Sequence, residues 1–141
     1  MTHDATRTLR DEPRERFDAL VRDRMATTFA WGQHDCCLFA ADCVLAQTGI
    51  DLAADLRGTY TDAMGAARAL QFIGGIKAAG DRAGPAIPAL AARVGDVGLV
   101  MLEDRELLAV CAGPVWLAPA ATGLAARPLS GARLAWRVAR G

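Results

Sequence analysis

The segment from residue 36 to residue 48 (CCLFAADCVLAQT) constrains the fold most, because it is apolar on nearly every side. Asp35 before it is a good helix N-cap, and Gly49 after it suits a helix end that needs a positive φ. Within these limits only Asp42 and the last two residues are polar. A helix that is apolar all round is buried on most sides. The segment is therefore predicted to be the central helix of the domain.

Three further helices are predicted around the central one. Pro13 suits the first turn of a helix whose apolar side chains recur at helical spacing opposite charged ones. Thr61 or Asp62 can cap the next helix, and two consecutive glycines end it. The predicted helices cover residues 13–26, 60–72 and 76–82.

From residue 93 onward the pattern changes to short β-strands separated by turn residues. Glu103, Asp104 and Arg105 are predicted to form a hairpin tip. Predicted helices before residue 93, followed by an antiparallel meander, indicate an α+β fold rather than a doubly wound parallel sheet. We expect a flexible N-terminal tail over residues 1–12 and a single domain over 13–141. The predicted strands cover residues 97–102, 107–111, 115–118, 124–127 and 133–138.

Composition argues against several classes of protein. Sixteen basic side chains balance sixteen acidic ones, so nucleic-acid binding is not expected. No apolar run approaches the roughly 18–20 residues of a membrane-spanning helix, so no membrane insertion is expected. The charged N-terminus has no apolar signal segment, and four irregularly spaced cysteines are too few for a disulfide scaffold. We expect reduced thiols in a protein made in a cytoplasm.

Cys36, at the first position of the central helix, is the first candidate for chemistry. Backbone N–H groups and the helix dipole stabilise a thiolate there, and can lower a thiol pKa by roughly one to several units. Catalytic thiols use this placement. The alternative is that Cys36, Cys37 and Cys43 are small core side chains, as buried cysteines commonly are. The local sequence alone favours this second interpretation.

The chain resembles the NlpC-type family of cell-wall peptidases, which are papain-like cysteine peptidases. The resemblance rests on two motifs, Gly32-x-x-Asp35-Cys36 opening a helix and Gly95-Asp96-Val97 opening a strand. It implies a papain-like core over roughly residues 15–138, with Cys36 at the nucleophile position. Asp35 and Asp96 are the supporting residues of these motifs. For Asp96, a turn-forming role through bonds to nearby backbone is favoured over a catalytic one.

A second set of motifs resembles a small family found in tailed phages and prophages. In phages, NlpC-type domains are typically tail-tip components that act at the cell wall. The resemblance therefore implies a protein made in the bacterial cytoplasm and carried in the virion. Its implied partners are other tail-tip or hub proteins, and peptidoglycan. The motifs are Trp31-Gly32, Cys36-Cys37, Phe39-Ala40-Ala41-Asp42, Thr48-Gly49, Arg57-Gly58-x-Tyr60 and Ala135-Trp136-Arg137-Val138.

The chain departs from the NlpC pattern at the catalytic base. The resemblance places a histidine at the start of the strand that follows the Gly-Asp strand, where this chain has Leu107 or Leu108. The third, polar member of the triad lies on the next strand, where residues 115–118 (VWLA) offer no such side chain. We therefore favour a nucleophile position that persists without its base. Amide hydrolysis would then be very slow, because no group protonates the leaving amine.

His34 is the alternative base. The chain has only one other histidine, His3 in the predicted tail, and His34 stands two residues before Cys36. A base must come within about 3 Å of the thiol, directly or through one water. Residues on either side of an N-cap can approach each other, so His34 remains a candidate base that lacks a visible orienting group.

Two tryptophans are candidate binding residues, because aromatic side chains dominate binding hot spots. Trp31 lies in a loop before the central helix, and an exposed Trp116 could anchor a partner. The alternative for Trp116 is packing between the sheet and the helices. We predict no metal site and no cofactor. The His and Cys residues do not have the spacing of a zinc site, and Cys36 and Cys43 lie about 10 Å apart along one helix.

Three functions follow from the sequence. The leading hypothesis is a structural component of a phage tail tip, a degenerate peptidase domain used for protein–protein contacts. The rival is an active cysteine peptidase that cuts peptidoglycan during entry, with Cys36 as nucleophile and His34 or a residue of another chain as base. The third is a tail assembly factor that is absent from the mature particle.

Overall fold

The structure is a computed structural model that describes residues 12–140 and contains four α-helices followed by a six-stranded sheet. The predicted α+β class is confirmed. The predicted tail lies outside the described residues except for Glu12. The helices are α1 (Pro13–Arg24), α2 (Cys36–Thr48), α3 (Ala63–Phe72) and α4 (Ile76–Asp81). The strands are β1 (Ala86–Ile87), β2 (Val97–Leu102), β3 (Arg105–Cys111), β4 (Val115–Pro119), β5 (Leu124–Pro128) and β6 (Ala132–Trp136).

The strand order of the sheet is β1-β6-β2-β3-β4-β5, and every pair of neighbours is antiparallel. The predicted meander is present from β2 to β5. The last strand does not extend it, because β6 lies between β1 and β2. Strand β1, which has two residues and stands between Pro85 and Pro88, is not among the predicted strands.

Two predicted boundaries move for local reasons. The hairpin tip has two residues rather than three: Glu103 and Asp104 have φ values of 51° and 63°, and Arg105 already begins β3. Two consecutive left-handed residues match the twist of a tight hairpin. Helix α3 begins at Ala63 rather than at residue 60, because the Asp62 side chain caps it by accepting from the N–H of Gly65 at 2.7 Å.

Helix α2 is the central helix, as predicted. Asp35 caps its start, and Gly49 ends it at a φ of 80°. It packs on one face of the sheet, where its side chains join a cluster with residues of β2, β3 and β6. Within residues 12–140, no helix combines the length and the apolar character that crossing a membrane requires. The buried side chains of α2 include Leu38, Phe39, Ala40, Ala41, Cys43 and Val44.

Asp96 connects the start of β2 to the chain that follows β6. Its carboxylate is wholly buried and accepts from the N–H groups of Arg93 at 2.8 Å and Val138 at 3.0 Å. The guanidinium groups of Arg137 and Arg140 lie 2.9 and 2.7 Å from its oxygens and offset its charge. The bond to Arg93 is the local turn bond expected for this residue. The other three bonds reach residues more than 40 positions away.

Asp96→Asn tests this connection. We expect the free energy of unfolding to fall by about 3 kcal/mol, since removing one partner of a buried ion pair leaves the other charge uncompensated. Urea unfolding measures the change. Asp55→Asn is the control, because the Asp55–Arg82 pair is largely exposed and should contribute little. Equal losses in the two variants would contradict a special role for Asp96.

Candidate active site

A cavity of about 340 Å³ lies beside the N-terminus of α2. Helix α2 contributes Cys36 and Cys37 to its wall, and the loop before α2 contributes Phe29 and Trp31. One side of α3 and both strands of the β2–β3 hairpin form much of the remaining wall. The cavity therefore contains the predicted nucleophile position.

The Asp35 carboxylate holds three parts of the chain together at this cavity. One oxygen accepts from the N–H of Leu38 at 3.0 Å and so caps α2. The other accepts from the N–H of Gly32 at 3.0 Å and from the hydroxyl of Tyr60 at 2.7 Å. Gly32 has a φ of 80°, and a Cβ on it would collide with the carbonyl oxygen of Tyr60. These contacts explain why Gly32 and Asp35 stand three residues apart just before Cys36.

The charge and burial around Cys36 oppose ionisation of its thiol. Burial and the nearby Asp35 carboxylate raise the pKa of Cys36 to about 11, although Arg105 and a backbone hydrogen bond act in the opposite direction. Burial likewise raises the pKa of Cys37 to about 12. Burial and Asp35 therefore act against the lowering of the Cys36 pKa that a helix N-terminus can provide. Both thiols are neutral at pH 7.

The resemblance places a catalytic histidine at residue 107 or 108 and a polar orienting side chain on β4, and neither place has such a side chain. Leu107 and Leu108 both line the cavity. Strand β4 reaches the cavity through Pro119, and no histidine of the described residues lines it. Glu103, Arg105 and Glu106 lie at the exposed edge of the cavity. The Cys36 thiol is therefore protonated, and the carboxylate beside it, Asp35, already accepts three hydrogen bonds from other groups of the described chain.

His34, the alternative base, is not among the residues that line the cavity. Its side chain is 4% exposed, and its ring meets the ring of Phe39 edge-on at 5.9 Å. Neither ring nitrogen has a hydrogen-bond partner among residues 12–140. Burial and the positive charge of Arg24 lower its pKa, against smaller opposing effects of Asp42, Asp35 and Asp23. His34 is therefore a neutral, buried side chain, and among the described residues no hydrogen bond joins its ring to the Cys36 thiol.

The other predicted residues fall in different places. Trp31 lines the cavity and meets Phe29 edge-on, with ring centroids 4.7 Å apart. Trp116 is 1% exposed, lies against Gly98, and donates its ring N–H to the carbonyl of Leu129 at 2.9 Å. The idea that an exposed Trp116 anchors a partner is therefore wrong. Asp96 is not part of the cavity wall.

The roles of Tyr60 and Arg105 were not predicted from the sequence. Tyr60 carries the hydroxyl that binds Asp35, and Arg105 is the cation that acts on the Cys36 thiol. The motif Arg57-Gly58-x-Tyr60 drew attention to Tyr60, but no neighbouring residue in the sequence indicates that Tyr60 binds Asp35. All four cysteines are free. Among the residues that the structure describes, no three His, Cys, Asp or Glu side chains form a group that could hold a metal.

The arrangement of a cysteine at the start of a buried helix, packed on an antiparallel sheet, defines the NlpC/p60-like class of papain-like folds. The NlpC/p60 domain of the peptidoglycan hydrolase SagA superposes with a TM-score of 0.57. The alignment covers 86% of this chain and 96% of that domain, at 17% sequence identity. The likeness shows the fold, and at this identity it shows no activity.

The chain belongs to the family described as a domain of unknown function, DUF6950, whose sequence profile matches residues 10–138. A search among curated proteins gave no match. The family assignment therefore covers nearly the whole chain, including Cys36 and the Gly-Asp turn.

Replacing His34 tests whether it is buried in its neutral form. Its pKa is lowered from about 6.5 on folding, so its contribution to stability is present above about pH 6.5 and is lost as the pH falls through the folded-state pKa. We expect wild type to lose more stability than His34→Gln between pH 6.5 and pH 5, measured by urea unfolding. Parallel pH profiles for the two proteins would contradict this account.

Proposed function

We propose that this chain is a structural component of a bacteriophage tail tip, and that its NlpC-like domain binds neighbouring proteins rather than hydrolysing peptidoglycan. The observation that carries the proposal is the setting of Cys36. Its neutral thiol lies in a cavity whose wall has Leu107 and Leu108 where the catalytic histidine is expected.

Amide hydrolysis by a cysteine needs a thiolate and a group that protonates the leaving amine. Burial and the Asp35 carboxylate raise the pKa of Cys36, so the neutral thiol is the favoured form at pH 7. No histidine of the described residues lines the cavity to serve as base or acid. Both requirements are unmet within the part of the chain that the structure describes, which supports a non-hydrolytic role.

The assignment to a tail tip is supported by the sequence resemblance to a phage and prophage family. On this proposal the chain is made in the bacterial cytoplasm, is carried in the virion, and contacts other tail-tip or hub proteins. Peptidoglycan is then at most a surface that the particle meets. The fold likeness to a domain of a peptidoglycan hydrolase supports an origin in that class of domain.

We expect the purified chain to release no amino groups from peptidoglycan, and Cys36→Ala to behave in the same way. A catalytically active NlpC/p60 domain serves as positive control, and circular dichroism verifies that both proteins are folded. Activity in wild type that disappears in Cys36→Ala would establish a peptidase and overturn the proposal.

The contact role is tested in the phage that encodes the chain. Phe72 is 91% exposed at the end of α3, and exposed aromatic side chains are frequent anchors of interfaces. We expect Phe72→Asp to reduce infectivity by about tenfold or more, the effect of losing one strong interface contact. Gln71→Asp adds the same charge one position away and is the matched control, and Cys36→Ala should leave infectivity intact.

Mass spectrometry of purified particles completes this test. A structural component is present at a fixed copy number, so we expect the chain in every preparation of mature particles. Its absence from infectious particles would favour the assembly-factor hypothesis. Loss of infectivity with folded Cys36→Ala would favour the active peptidase, including one whose base comes from another chain.

A further inference from the structure

The cavity beside Cys36 has the size of a small-molecule site. Its volume is about 340 Å³, and ligand pockets typically range from about 300 to 1,000 Å³. An engineered apolar cavity of about 150 Å³ in another protein binds benzene. The cavity of this chain therefore has room for a ligand about twice as large as a single aromatic ring.

The polar groups inside the cavity are already used or uncharged. The Asp35 carboxylate accepts three hydrogen bonds from within the chain, one of which the hydroxyl of Tyr60 donates. The thiols of Cys36 and Cys37 are neutral because burial raises the pKa of both. A polar or charged ligand would lose its hydration without gaining a free partner there.

Helix α3 presents an incompletely covered apolar side to the cavity. It contributes Ala63, Ala66, Ala67, Ala69 and Leu70 to the wall, yet none of its residues is fully buried. Small alanine side chains leave volume between α3 and the β2–β3 hairpin, where Leu102, Leu107 and Leu108 form the opposite wall. An apolar occupant would remove both walls from water.

We propose that this cavity binds an uncharged apolar small molecule, with an alkyl or alkyl-aromatic body between α3 and the β2–β3 hairpin. The exposed edge carries both signs of charge, with Arg105 between Glu103 and Glu106. An edge of mixed charge does not select a strongly charged ligand, so the apolar body supplies the affinity. The inference goes beyond a tail-tip role, because it depends only on the cavity of the isolated chain.

Fluorescence of N-phenyl-1-naphthylamine, which increases in apolar surroundings, measures occupancy in the purified full-length protein. We expect saturable binding and displacement by n-alkanols. Each added methylene should tighten binding about fourfold, the ratio expected from burying one methylene group. This trend should stop at the chain length that fills the cavity. Absence of saturable binding, or displacement that does not depend on chain length, would overturn the proposal.

Ala66→Phe places a ring in the cavity and should weaken binding of the probe at least about tenfold, because the ring occupies volume that the probe needs. Gln71→Phe adds the same ring to an exposed position of α3 and should bind as wild type does. Equal binding by the two variants would contradict the site.

If Ala66→Phe does not fold, protection of the Cys36 and Cys37 thiols of wild type from N-ethylmaleimide by octanol gives an independent measurement. Unprotected thiols would then reject the proposal.

These results are separate from the test of the tail-tip role. Probe binding uses neither phage particles nor peptidoglycan, so a negative result leaves the infectivity and hydrolysis experiments unaffected. A phage that tolerates Phe72→Asp would likewise not change the expected binding of alkanols.

Discussion

The arrangement of the candidate site depends on the buried carboxylate of Asp35. Its oxygens cap α2, fix the loop at Gly32 and bind the hydroxyl of Tyr60, so the start of the helix, the loop before it and a residue 25 positions away meet at one carboxylate. The same negative charge raises the pKa of Cys36 and Cys37. The residue that builds the cavity also opposes ionisation of the thiols within it. A hydrolase of this geometry would need a strong compensating cation, and Arg105 only partly offsets Asp35 and burial.

The parts of the fold that local patterns determine could be predicted from the sequence. Helix α2 could be placed because its N-cap, its apolar character and its terminal glycine all lie within fifteen residues. Strand β1 could not be predicted, because a two-residue strand has no periodicity. The position of β6 within the sheet could not be predicted either, because it depends on tertiary pairing. Sequence spacing alone suggests that strands consecutive in the chain pair with each other, and it therefore predicted a simple meander.

For the candidate site, residue positions were more predictable than residue properties. The motif around Asp35 and Cys36 placed the cysteine correctly at a helix start. The direction of its pKa shift was missed because helix dipoles are local, whereas burial depends on the walls that other segments supply. The same reason applies to Trp116, whose sequence neighbours do not reveal that Gly98 provides its packing surface.

The place of β6 has a consequence for the order of folding during synthesis. β6 fills an interior position between β1 and β2, and Asp96 binds Val138 and Arg140 beyond it. A ribosome-bound chain that lacks residues 132–140 has its helices and the β2–β5 meander, but neither the strand that joins β1 to the sheet nor the cations that neutralise Asp96. Completion of the sheet must therefore wait until residues 132–140 have left the ribosome, and the incomplete sheet exposes one pairing edge of β2 until then.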